Sequence, residues 1–321
     1  MELVQEAAKV LADGGLVAFP TETVYGLGAN ALDKEAVKKV YAAKGRPSDN
    51  PMIVHIARAS DIGMLTPMLT PTIIKLADNF WPGPLTMVLE KKETVPSETT
   101  GGLDTVAIRL PDHPAAIELI RLAGVPVAAP SANLSGSPSP TRAQDVIADL
   151  DGRVDVILAG ADSRVGIEST VVDMTVSPPE ILRPGVLTAE MIAAAINSNV
   201  VYDETLTATE SSRAPRSPGM KYRHYAPKAE MIVIEGQRDK VGSEIARLKA
   251  VNERLGSKVG VLLFEEKAYV EAAHDFYARL RDLDEGGADL ILAGALSDKD
   301  GVGFAVMNRM MKSAGHKVAK V

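Results

Sequence analysis

The sequence predicts a two-domain α/β protein. A length of 321 residues exceeds what one hydrophobic core usually serves. Short apolar runs of strand type alternate with amphipathic helical stretches. From Asn197 to Lys228 that periodicity gives way to a segment rich in Ser, Thr, Pro and Arg, which reads as a linker. The expected division is 1–197, a connecting segment 198–229, and a small α/β unit 230–321.

Residues 2–13 carry Leu3, Val4, Ala7, Ala8 and Leu11 on one helical face and end at Gly14-Gly15. Leu16 to Phe19 is a short strand, followed by a polar loop, Pro20 to Asn30. Asp33 caps a helix whose apolar face is Ala36, Val37, Val40 and Tyr41, and Gly45 stops it. Met52 to Ile56 is a strand, Pro71 to Phe80 a helix broken by Trp81-Pro82-Gly83-Pro84, and Leu85 to Leu89 a strand. In Thr105 to Leu110 the alternation is clean: Val106, Ile108 and Leu110 point one way, and Thr105, Ala107 and Arg109 the other. A helix over His113 to Ala123 leads to the strand Val125 to Ala129, which runs into PSANLSGSPSPT. Val154 to Leu158, Ser169 to Met174 and Glu180 to Leu182 read as strands, and Thr188 opens a helix. Beyond the linker, Met231 to Ile234 and Lys258 to Phe264 are strands, and helices are expected over Val241 to Leu255, Gly287 to Ala295 and Val302 to Ala314.

The composition, 46% hydrophobic and 24% charged, is that of an ordinary soluble globular protein. A net charge of −7 argues against a general nucleic-acid coat but leaves room for a local basic patch. The absence of cysteine excludes disulfides, thiolate metal sites and a cysteine nucleophile, and it fits a reducing cytoplasm. The acidic amphipathic N-terminus is not a signal peptide, and no apolar run approaches membrane-spanning length.

The richest stretch is Leu16 to Pro51. A strand, a loop of hydroxyls and glycines, a helix and a basic turn with two prolines suit a small anionic ligand. Gly26-Leu27-Gly28-Ala29-Asn30-Ala31 matches G-x-G-x-x-A, but Pro20 to Tyr25 separate it from its strand and the helix starts only near Asp33, so the match to a dinucleotide turn is weak. No Walker A sequence is present. Lys44 is explained by the helix dipole; Arg46, beside Pro47 and close to Asn50-Pro51, is better explained by phosphate recognition. Arg109 lies either on a solvated sheet face or in a buried one, where it needs an anionic partner such as a bound carboxylate. Ser131-Ala132-Asn133 suits either a hydroxyl turn or a ligand loop at a strand end. His55 on an apolar strand reads as a satisfied core histidine, and no metal-binding spacing occurs. The basic, ring-bearing run Ser211 to Lys228 suits a tether, a contact with single-stranded RNA, or a lid.

Taken together, PTETVYGLG, KGRPSDNP, the Thr105 to Arg109 strand, PSANLSG, Gly166 to Val171 and Leu182 to Gly185 resemble the threonylcarbamoyl-AMP synthase (YrdC-type) family. SPGMKYRHYAP, followed by a small C-terminal unit, resembles its long form. The resemblance implies a twisted mixed-sheet domain with a concave basic cleft and a Rossmann-like C-terminal domain. It also implies a nucleotidyltransferase that joins L-threonine, bicarbonate and ATP, with Mg²⁺, into threonylcarbamoyl-adenylate and pyrophosphate. A partner transferase then modifies tRNA beside the anticodon. By motif match, Thr23, His55, Arg109, Ala129 and Ser169 line the threonine pocket. Lys44 and Arg46 are the expected catalytic cations. Arg46, Asn50, Thr105, Ser131, Asn133, Ser139, Arg183, Tyr222 and Tyr225 are expected to hold ATP. The competing readings are an RNA-binding module and a carbamoyl transferase with another acceptor.

Overall fold

A computed structural model describes residues 2–206, 216, 225–297 and 301–321. The chain opens with α1 (Glu2–Ala12), then β1 (Val17–Phe19) and β2 (Gly26–Asn30), which pair antiparallel. Helix α2 (Lys34–Lys44) is capped at both ends. Asp33 accepts from the backbone N–H groups of Glu35 and Ala36, and Gly45 takes the left-handed conformation, φ 63°, that a side chain would disfavour. There follow β3 (Ile53–His55), α3 (Pro71–Phe80), β4 (Leu85–Glu90), β5 (Thr105–Arg109), α4 (Pro114–Ala123) and β6 (Val127–Ala128). The first unit is completed by α5 (Ala143–Leu150), β7 (Val156–Ile157), β8 (Thr170–Asp173), β9 (Glu180–Arg183), α6 (Ala189–Ile196) and β10 (Val201–Tyr202).

Among the described residues these strands form one ten-stranded mixed sheet in the order β10-β9-β8-β4-β5-β3-β6-β2-β1-β7. One face packs on α2, α3, α5 and α6, where Leu27, Val40, Ile73, Ile108, Val146 and Ile192 are buried together. The other face is covered by α1 and α4 at one end, against Phe19 and Val127. The alternation in β5 is realised: Val106 and Ile108 enter the large core, while Ala107 joins a small cluster on the opposite face with Ile53, Val88, Val171 and Leu182. Register does the rest. His55 lies opposite Arg109, Arg109 opposite Thr86, Thr86 opposite Val171, and Val171 opposite Arg183. One row thus crosses five adjacent strands, spaced about 4.8 Å apart, and its side chains share a face.

The second sheet holds β11 (Glu230–Glu235), β12 (Val259–Leu262), β13 (Leu290–Gly294) and β14 (Val318–Lys320), all parallel, in the order β12-β13-β11-β14. Helices α7 (Arg238–Arg254), α8 (Tyr269–Glu285) and α9 (Val302–Ser313) make the crossovers that parallel strands require.

Four local readings are corrected. Gly287 to Ala295 is not a helix: its apolar core is β13, a fully buried parallel strand, and a short continuous apolar run has no period that separates the two. Helix α8 goes unread, although Ala272, Ala273, Phe276, Tyr277 and Leu280 fill its buried face; its N-cap, Ala268, offers no side-chain capping bond to mark the start. Gly26 to Asn30 is a strand rather than loop because β1 and β6 pair with it on both sides. Val201–Tyr202, within the segment read as linker, pairs parallel with β9.

The two units share a core. Val24 and Ile167 of the first pack with Phe276, Leu280 and Val306 of the second. Gly166 sits at this contact with φ 84°, and a Cβ there would collide with the backbone carbonyls of Ala273 and His274 in α8. Gly166→Ala should therefore destabilise the protein by about 1–3 kcal/mol through left-handed strain and overpacking. The measurement is the urea unfolding midpoint; an unchanged midpoint would show that α8 can retreat without cost.

Candidate active site

The row of paired residues opens into a cleft on the sheet face that α1 and α4 leave uncovered. Its floor carries Ile53, His55, Arg109 and Arg183. Its rim comes from the β1–β2 loop, with Thr21, Thr23 and Tyr25, and from Ala129 to Ser131 after β6. Arg46, Glu168 and Tyr225 close it.

The rim loops are laced together by backbone bonds. Tyr25 N–H donates to Pro140 O at 2.9 Å, Leu27 N–H to Pro130 O at 2.9 Å, and Ala132 N–H to Tyr25 O at 2.8 Å. Thr21 Oγ1 donates to Val24 O at 2.6 Å and lies 2.9 Å from Thr23 Oγ1, so the hydroxyl-rich loop is internally bonded. Helix α2 places the cations. Its left-handed cap turns the chain so that Arg46 N–H bonds Tyr41 O at 3.0 Å, and Arg46 leaves the helix toward the cleft. Its guanidinium is then fixed by two carbonyls, Nε to Asn50 O at 3.2 Å and Nη2 to Pro51 O at 2.9 Å. Burial pulls the Arg46 pKa down to about 10.

Lys44 is placed differently. The residue is 3% exposed and does not line the cleft. It donates to the carbonyls of Ser131 and Asn133, the latter at 2.5 Å. Burial, and then Arg46, push its pKa well below the ordinary value. Lys44 therefore locks the 131–133 loop onto the end of α2. In that loop Ser131 Oγ donates to Asn133 Oδ1 at 2.5 Å, and Asn133 Nδ2 donates to Leu134 O and Ser137 O. Asn50 is 1% exposed, and neither atom of its side-chain amide has a hydrogen-bond partner among the described residues. A buried amide left unbonded is costly, which marks Asn50 as a group able to serve a ligand.

Arg109 reaches three internal partners: Thr23 Oγ1 at 2.9 Å from Nη1, Gly83 O at 3.3 Å from Nε, and the Glu22 carboxylate at 2.6 Å from Nη2. The Glu22 contact is an ion pair off the hydrogen-bond direction, since neither Glu22 oxygen has a hydrogen-bond partner. Arg183 donates from Nε to Ser169 O and from Nη2 to Ser169 Oγ, both at 3.1 Å, and burial lowers its pKa. Ser169 Oγ is also 2.8 Å from Thr86 Oγ1, so Ser169 stands behind Arg183 as its support. Ser139 likewise stands behind the wall and donates to Glu168 Oε1 at 2.6 Å.

Thus Thr23, Arg46, His55, Arg109, Ala129, Ser131, Arg183 and Tyr225 meet at the cleft. Lys44, Asn133, Ser139 and Ser169 back its walls, as these bonds describe. Thr105 is not brought to it: it starts β5, four residues from Arg109, or about 13 Å along an extended strand. Tyr222 lies outside the described residues. Sequence reasoning misses Glu22 and Glu168. A carboxyl within the run PTET and another within GIEST are the only local signals, and neither says which cation it meets. No group of three side chains able to hold a metal ion occurs among the described residues, and no helix among them is long and apolar enough to cross a membrane.

His55 is 4% exposed, with Nδ1 3.2 Å from Ile53 O. Burial, and then the Arg109 charge, bring its pKa down to about 3, so the ring is neutral in the folded protein at neutral pH. The unfolded chain takes up a proton near the usual histidine value, about 6.5, so this contribution to stability is complete above that pH and is lost as pH falls from there toward 3. Between pH 7.5 and 5.5, the loss of unfolding free energy should be on the order of 1 kcal/mol larger for the native chain than for His55→Asn. Glu168 does not enter this window, because its own loss begins below 4.5. Parallel pH dependence of the two proteins in denaturant titrations would mean that His55 titrates normally.

The family model described as Telomere recombination matches residues 9–185, and that described as Threonylcarbamoyl-AMP synthase, C-terminal domain, matches residues 187–315. The threonylcarbamoyl-AMP synthase of Pyrococcus abyssi is 48% identical, over 99% of this chain and 96% of the relative. That of Bacillus subtilis is 46% identical, over 99% and 94%. A crystal structure of P. abyssi Sua5 complexed with L-threonine superposes with a TM-score of 0.94 at 47% identity, covering 99% of this chain and 96% of that one. With both halves matched in order and nearly half of all residues shared along the full length, this chain belongs to the threonylcarbamoyl-AMP synthase family.

Proposed function

We infer that this chain is an L-threonylcarbamoyladenylate synthase: it condenses L-threonine, bicarbonate and ATP to threonylcarbamoyl-AMP, pyrophosphate and water. The observation that carries this is the trio Arg46, Arg109 and Arg183, converging on one hydroxyl-rimmed cleft in a chain whose net charge is −7. Every substrate is anionic or zwitterionic, and the cations are where such groups need neutralising.

The chemistry asks for positioning rather than for a covalent nucleophile. The threonine amine attacks bicarbonate and water leaves, giving a carbamate. A carbamate oxygen then attacks the α-phosphorus of ATP in line, and pyrophosphate departs. Arg109, with Thr23, is suited to the threonine carboxylate, which would share the guanidinium with Glu22. Neutral His55 is suited to hydrogen-bonding without competing for the carboxylate, and Ala129 to packing the methyl group. Arg46 and Arg183, with the hydroxyl of Ser131, suit the nucleotide, and Tyr225 covers it. The unbonded amide of Asn50 is a further candidate, while Asn133 and Ser139 act from behind the wall through Ser131 and Glu168. Lys44 acts through the 131–133 loop. With no cage of protein ligands among the described residues, Mg²⁺ is best assigned to the phosphate oxygens and water, as part of the nucleotide substrate. The catalytic unit then comprises residues 1–197 together with β10, the rest of 198–229 connects it onward, and 230–321 form a second unit. The adenylate is a donor for a downstream transferase that modifies tRNA in the cytoplasm.

The direct test is pyrophosphate release with ATP and bicarbonate, supplying one amino acid at a time. Threonine should support it, and valine and serine much less, since one lacks the hydroxyl and the other the methyl. Equal release with valine would mean that the hydroxyl is not read. Arg46→Ala should weaken ATP use about ten- to a hundredfold, the value of one lost charge-assisted contact, without unfolding the protein. Wild-type kinetics in a folded Arg46→Ala protein would remove that guanidinium from the reaction.

A further inference from the structure

One carboxylate in the cleft wall is held mainly by the other half of the chain. Glu168 is 6% exposed. Ser139 supplies one bond from its own unit, at 2.6 Å. Tyr277 Oη, from α8, donates at 2.9 Å to Oε1, and Arg309 Nε, from α9, donates at 3.0 Å to Oε2. Burial alone would favour the protonated acid, but Arg309, and then Arg183, hold the carboxyl down at about 2, so it is ionised.

The same two helices grip the neighbouring chain. Arg309 is fully buried, and its Nη1 donates to Pro184 O, the residue after Arg183, and to Ala305 O at 3.2 Å. The Tyr277 ring packs 5.5 Å from that of Tyr225, which lines the cleft. Ser169, the residue after Glu168, accepts both of the Arg183 hydrogen bonds. Arg183 is therefore bracketed: its support follows Glu168, and its own C-terminal neighbour is tied to Arg309.

We propose that Tyr277 and Arg309 are positioning residues for the reaction: acting through Glu168, Pro184 and Tyr225, they set the Arg183 guanidinium and the Tyr225 ring for the nucleotide, so the C-terminal unit completes the ATP half of the active site. This rests on the reading above that Arg183 and Tyr225 face ATP. The physical reason is the cost of an unbalanced buried charge. Without Arg309, ionised Glu168 has Arg183 as its next cation, and it draws that guanidinium off Ser169. Lys312, also on α9, senses the same groups: burial, and then Arg309 and Arg183, pull its pKa to about 7, while Glu168 pushes it up.

The test uses the full-length protein and measures ATP and L-threonine binding separately by calorimetry, with threonine-dependent pyrophosphate release alongside. Arg309→Met should weaken ATP about tenfold or more and leave threonine affinity within about twofold, because the threonine half is held by Thr23, Arg109 and Glu22 instead. Adding Glu168→Gln to Arg309→Met removes the stranded charge and should restore part of the ATP affinity. Tyr277→Phe keeps the ring packing and removes one hydrogen bond to Glu168. It should weaken ATP selectively by a smaller factor, and it decides the question if Arg309→Met does not fold. Native ATP affinity in folded Arg309→Met, equal losses for ATP and threonine, or no recovery in the double variant would each overturn the proposal. Failure of the native protein to release pyrophosphate with threonine would instead overturn the functional reading.

Discussion

Three guanidinium groups share one cleft, where each repels the others and each has lost water. Most of the surrounding structure can be understood as what makes that arrangement stable. Arg46 is held by two backbone carbonyls of its own turn, Arg109 by Glu22, Thr23 and Gly83, and Arg183 by both oxygens of Ser169. Each has a carboxylate within electrostatic reach: Arg109 pairs with Glu22, Arg183 feels Glu168, and Arg46 feels Asp49.

The supports are graded in stiffness. Arg46 and Lys44 flank a helix stop, so the α2 cap fixes one cation toward the cleft and the other toward the 131–133 loop. Arg109 and Arg183 stand on adjacent parts of one sheet, where hydrogen-bonded register leaves little freedom. Glu168 lies between the units, and its ionisation depends on Arg309 coming from α9. Ion pairs of Arg281 with Asp149 at 2.8 Å, largely buried, and of Arg142 with Asp282 at 2.7 Å, more exposed, join the same two halves.

Much of this was legible in the residues. The capping of α2 by Asp33 and Gly45 follows from side-chain chemistry and left-handed tolerance, both local properties. The two faces of β5 follow from its period of two, which put Arg109 opposite the core side chains before any partner was known. Elsewhere local signals failed for stated reasons. The apolar run in β13 has no period to distinguish strand from helix, and the glycines of β2 have little strand propensity of their own. Arg109 called for a buried anion, and a bound carboxylate was one reading. The chain itself supplies Glu22, a residue 87 positions away, and spacing cannot reveal such a pairing.

By itself the sequence determined the α/β class, most helices and strands of the first unit but not β2, α5 or β10, the absence of thiol chemistry, and a set of motifs specific enough to point to one family. These are matters of composition, periodicity and short-range caps, which act over a few residues. Only the tertiary structure decided that Arg109 and Arg183 stand in one row, that Lys44 turns to backbone carbonyls while Arg46 turns to the cleft, and that Glu168 is balanced from α9. Strand register and the burial of charge depend on partners that are distant along the chain, and the energy of a guanidinium is set by which oxygens surround it rather than by its neighbours in sequence.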